Sequence, residues 1–163
     1  GVTFSAGLML GQYRDAGFYL FLAVGFWLAL WGHHLFFKEK LQTEFAVGFV
    51  ALVTSASLWG LGGDMEGMKW CIALCLGSGL GFVTSRYLLS YIRICEHCER
   101  GTAQTSYLLG WDAGLLAGYS VAFGLGTEVG QTIYTYIMGA IFVRMGMFHL
   151  FLVRPWYMRN KRK

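Results

Sequence analysis

The chain has 163 residues, of which 56% are apolar, 17% aromatic and only 13% charged, and its formal net charge is +4. Soluble domains carry about a quarter charged residues, so this composition excludes an ordinary water-exposed surface. The basic residues cluster in loops and the tail, which excludes the basic stripe of a nucleic-acid binder. The 23 glycines suit helices that approach closely through small residues within a bilayer.

In chain order, the first apolar segment is 2–12. It is about half the length needed to cross roughly 30 Å of hydrocarbon at about 1.5 Å per residue. No basic n-region precedes it, and it reads as the end of a helix cut by the start of the chain, with a short re-entrant or interfacial segment as the alternative. Full spans are predicted at 17–37, 45–63, 69–92, 105–126 and 130–153, followed by a tail at 154–163. They lack the polar face that a soluble helix keeps toward water. The expected fold class is all-α, a polytopic transmembrane bundle of five full helices and one partial one.

The loops fix an orientation. Nine Lys and Arg residues lie in one alternating set: Lys38, Lys40, Arg93, Arg100, Arg154, Arg159, Lys161, Arg162 and Lys163. Only Arg14 and Lys69 lie in the other. The positive-inside rule places the first set, and with it the C-terminus, in the cytoplasm.

The stretch 86–126 carries most of the functional information. Gly110, Gly114 and Gly118 recur every four residues and form a bare ridge for helix packing. Thr105, Asp112 and Tyr119 recur every seven and form a separate polar stripe. An ionisable residue at that depth calls for a partner or a cavity. Arg86 and Asp112 lie 13 residues either side of Glu99, and Asp112 and Arg144 lie 16 either side of Glu128. Antiparallel hairpins therefore bring either arginine near the level of Asp112. The charges serve either to hold helices together or to move ions.

The loop Arg100-Gly101-Thr102-Ala103-Gln104, followed by Trp111-Asp112-x-Gly114 and Gly118-Tyr119, resembles the region joining helices 10 and 11 of major facilitator superfamily transporters. The nearest likeness is to a Bacteroidetes-type drug and metabolite exporter-like group. Gly77-x-Gly79-x-Gly81 with Arg86-Tyr87 is similar to helix 10 of that group. The resemblance implies the C-terminal half of such a carrier (helices 7 to 12) in a bacterial cytoplasmic membrane. Its partners would be the missing N-terminal half, the lipid bilayer and a small-molecule substrate, with no nucleic acid. It implies alternating access, proton-coupled transport or efflux, no enzymatic activity and no cofactor. Asp112, Arg86, Arg144, Tyr119 and Thr105 would be the transport or coupling residues, and Arg100 and Gly101 the loop motif. The Gly/Asp/Arg-rich loop of the family is absent, and 33–40 (HHLFFKEK) occupies one of its places.

Two other classes fit some residues. Cys95-Glu96-His97-Cys98 is a C-x-x-C and, with Cys71 and Cys75, allows a membrane thiol:quinone oxidoreductase. Its cytoplasmic placement is reducing, and no second cluster completes a metal site, so no metal is expected. A noncatalytic membrane scaffold is the third reading. His33 and His34 are expected among headgroups, and Trp27, Trp31, Trp59, Trp70, Trp111 and Trp156 in an aromatic belt. No phosphate-binding loop, nucleophile elbow or HExxH pattern occurs.

Overall fold

A computed structural model describes residues 1–36, 41–62, 65–94, 100–125 and 131–160. They form α1 (Val2–Gln12), α2 (Ala16–Phe36), α3 (Leu41–Gly62), α4 (Glu66–Ile94), α5 (Arg100–Leu125) and α6 (Gln131–Phe148). α6 passes through a π turn (His149–Val153) into α7 (Arg154–Asn160), so the region expected as a tail is helical as far as Asn160. The described residues contain no strand.

The π turn has a local cause. Pro155, the only proline of the chain, has no N–H, and its ring crowds the carbonyl four residues back. The helix widens there, and the Arg154 N–H donates to the carbonyl of His149, five residues back.

Glycine seams hold the bundle together. α1 runs parallel to α5, with Gly7 against Leu115 and Gly118, and Gly11 against Tyr119 and Ala122. α2 runs parallel to α4, with Gly77 against Leu22 and Phe26, and Gly81 against Phe26 and Ala29. A Cβ at Gly7, Gly77 or Gly118 would collide with a neighbouring backbone, so these seams need hydrogen at that position. α3 lies antiparallel to α4 through Gly48 and Gly79, and antiparallel to α6, where Gly60 meets Thr135.

This arrangement is a repeat. Exchanging α1-α2-α3 for α4-α5-α6 turns the α2–α4 seam into the α5–α1 seam of similar extent, and the extensive α3–α4 contact into a much smaller α6–α1 contact. The second triplet runs in the opposite sense, because α1 is parallel to α5 while α5 returns along α4. The residues agree in register. Gly7, Leu10 and Gly11 of α1 match Gly77, Leu80 and Gly81 of α4, and Gly17, Leu22, Gly25 and Ala29 of α2 match Gly110, Leu115, Gly118 and Ala122 of α5.

The interior mixes small side chains, among them Ala6, Ala56, Ala73, Ser5 and Ser55, with large apolar ones such as Phe18, Met9, Leu52, Ile72 and Phe142. Large apolar side chains cover the outside: Leu61, Tyr136 and Phe151 are each at least 70% exposed. Three stretches are long and apolar enough to cross a membrane: Thr43–Gly62, Gly67–Arg93 and Ile133–Arg159. α2 contributes a shorter apolar stretch, Ala16–Gly32. Five full spans were expected from the sequence; among the described residues three reach that length and apolarity. α5 has the length, but Thr102, Gln104, Thr105, Ser106 and Asp112 dilute its apolar character.

Candidate functional site

Three helices converge on one buried polar cluster. Antiparallel packing of α3 on α4 brings Glu44, near the start of α3, opposite Arg86. The Arg86 Nε and Nη2 both donate to the Glu44 carboxylate, a fork that matches the two carboxylate oxygens. Both side chains are buried. Desolvating two charges is costly, and only close, double hydrogen bonding offsets it.

The next residue on each helix extends the cluster. Phe45 and Tyr87 meet edge to face at 4.9 Å between ring centroids. His149, at the start of the π turn, lies 4.0 Å from Phe45 and packs edge-on to Tyr87 at 5.4 Å. Its ring is buried, and its Nδ1 finds no hydrogen-bond partner among the described residues.

Tyr87 also lines a larger cavity of about 350 Å³ between α4, α5 and the N-terminal end of α1. Tyr91, Tyr107 and Trp111 add three more aromatic rings to its wall, with Ser106 and Thr3 adding hydroxyls. The Tyr107 hydroxyl donates to the Thr84 carbonyl at 3.1 Å, tying α5 to α4 at this level. A concave, mainly aromatic space of that size suits a small organic molecule.

The residues singled out from the sequence separate into groups. Gly114 and Gly118 lie under Thr3, Phe4 and Leu8 of α1, whereas nothing covers Gly110, which lines the aromatic cavity. Asp112 and Thr105 face outward on α5, and Tyr119 is 43% exposed on the same helix. The Thr105 hydroxyl donates to the carbonyl of Gly101, one turn back. Arg100 and Gly101 are exposed in the first turn of α5, and Arg144 is exposed on α6.

An Arg86–Asp112 pair was one of the two expected, but Arg86 is turned toward α3 and held by Glu44. Among the described residues Asp112 forms no ion pair with either arginine. Glu44 escaped the sequence reading because it lies one residue before the uncharged run that was taken as the span. Cys71 is exposed and Cys75 half-buried, both as free thiols. Cys95 and Cys98, and the side chains of His33 and His34, lie outside the described residues. No group of three metal-capable side chains occurs among the described residues.

No protein family, characterised protein or solved structure matches this chain. The physical arrangement must therefore carry the functional reading.

Proposed function

We propose that the chain is one half of a secondary carrier of the major-facilitator type, seated in a bacterial cytoplasmic membrane with its C-terminus in the cytoplasm. The observation that carries this reading is the pair of interlocked helix triplets of opposite sense. Inverted repeats of this kind are a recurrent architecture of secondary transporters, where substrate passes between units that rock against each other. The apolar exterior and the glycine seams between helices support a bilayer as the solvent.

On this reading the outward stripe of Thr105, Asp112 and Tyr119 faces the other half of the carrier, and a small molecule crosses between them. Asp112 carries the coupling proton, because the buried carboxylate of Glu44 is already engaged by Arg86. Arg144, on the neighbouring helix, is left as the second mobile-charge candidate. The glycine seams make each half a stiff body, so that rocking takes place between halves rather than within one.

The test uses the complete carrier in proteoliposomes, with ethidium as a fluorescent cargo and an imposed pH gradient. Wild type is expected to move dye with the gradient. Asp112→Asn is expected to fold in normal yield, to lose gradient-driven movement, and to keep dye exchange at equal pH, since the amide mimics a protonated carboxyl. Gradient-driven transport by Asp112→Asn at the wild-type rate would remove Asp112 from coupling. Absence of gradient-driven flux of any tested dye or small solute through folded wild-type carrier would remove the transport reading.

A further inference from the structure

Of the buried polar groups, the Nδ1 of His149 stands out. A hydroxyl left without a partner can rotate toward a carbonyl of its own helix, but an imidazole is fixed by its ring packing. His149 is only 8% exposed, clamped by Phe45 and Tyr87, and an unpaired buried nitrogen is costly. It also lines a small cavity of about 40 Å³ between the C-terminal part of α4, the π turn and α7. Such a volume admits one compact polar group.

The other walls state what that group is. Ser90 offers a hydroxyl from α4, and Arg154 offers a guanidinium from the start of α7. Among the described residues the cavity wall includes no carboxylate, and its formal charge there is positive. The remaining wall is apolar or aromatic, with Val153, Tyr157 and Met158. One compact anion flanked by apolar surface is the pattern of a lipid phosphate with its glycerol and acyl chains.

Position agrees with chemistry. The cavity lies at the end of the apolar rod Ile133–Arg159, where basic residues begin. Trp156 and Met158 of α7 are about half exposed there, as residues at a headgroup boundary would be. We propose that this cavity binds the phosphate of an anionic phospholipid, held by the His149 Nδ1–H, the Ser90 hydroxyl and the Arg154 guanidinium. Basic pockets between helices on the cytoplasmic side commonly take such headgroups. The π turn has a role here: the extra residue in that turn sets His149 and Arg154 on the wall of one cavity.

The proposal rests on the bilayer reading but needs no transport, so it stands or falls separately from the carrier function. The experiment is thermal unfolding of the purified chain in detergent, titrated with phosphatidylglycerol or with phosphatidylcholine of the same acyl chains. Native mass spectrometry counts the lipid retained. Phosphatidylglycerol is expected to raise the midpoint and to remain bound as one molecule, and phosphatidylcholine, whose trimethylammonium offsets its phosphate charge beside Arg154, to do neither. Arg154→Gln and Ser90→Ala, both mild changes at the cavity rim, should each require about tenfold more phosphatidylglycerol for half the effect. Arg159→Gln, outside the cavity wall, should behave as wild type.

Equal responses to the two lipids would overturn the site. So would equal losses in Arg154→Gln and Arg159→Gln, which would mean diffuse surface attraction. Inorganic phosphate producing the same shift and competing with the lipid would replace the lipid by a soluble anion and overturn the assignment.

Discussion

At the scale of single residues, the Glu44–Arg86 pair is the most demanding feature of the molecule. Removing one partner leaves an uncompensated charge among apolar side chains, which costs about 3–5 kcal/mol, whereas replacing both by apolar residues is often neutral. Glu44→Leu and Arg86→Met alone are therefore expected to lower folded yield and thermal midpoint sharply, and the double variant to recover most of the loss. Thermal unfolding of the three variants in one detergent measures this. Additive losses would mean that the two side chains act independently. Asp112 behaves differently because it faces outward, so its replacement by Asn should spare folding and touch only function.

At the scale of elements, the seams rest on the absence of side chains. Gly118 of α5 lies directly under Phe4 of α1, while Gly110, two turns earlier on the same ridge, has open space where a Cβ would go. Gly118→Ala should destabilise by about 1–3 kcal/mol through overpacking, and Gly110→Ala should be near neutral. In the other seam Gly77 of α4 meets the Leu22 backbone as closely as Gly118 meets that of Phe4, so Gly77→Ala should cost about as much as Gly118→Ala. Denaturant midpoints in mixed micelles would rank the three, and a Gly110→Ala loss as large as the others would dissociate the ridge from the packing.

The same residues mark how far the sequence can be read. Long apolar runs locate the helices because the bilayer demands length and apolarity from each one separately. Spacing of Gly110, Gly114 and Gly118 reveals a ridge, but not that α1 covers only its later part. Pairings such as Glu44 with Arg86, or Phe45 with His149, join helices far apart in the chain, and no local period encodes them. The internal repeat was legible in principle, since Gly7-x-x-Leu10-Gly11 and Gly77-x-x-Leu80-Gly81 stand in plain view. It was hidden because α4 runs on past the residue that matches the end of α1 and α5 begins before the residue that matches the start of α2, so no single offset aligns both helices.

At the scale of the whole molecule, the charge bias between the two loop sets predicts an orientation. A cysteine introduced in 127–130, in an otherwise cysteine-free background, is expected to react with an impermeant maleimide from outside intact cells. One kept at Cys98 should react only after permeabilisation. The opposite pattern would invert the chain in the membrane and move the α7 cavity to the outer leaflet.

The interlocking of the two triplets also governs how the protein is made. Within this chain α1 leaves the ribosome before its packing partner α5, which follows roughly 100 residues later, a delay on the order of 5–20 s at ordinary elongation rates of about 5–20 residues per second. For that interval the glycine face of α1 lacks the α5 surface it packs on, whereas α4, when it emerges, already has α2 to close against. The first triplet therefore cannot reach its final packing as a unit. Synthesis order lets the α2–α4 seam close before the α1–α5 seam, which needs α5 from the later part of the chain.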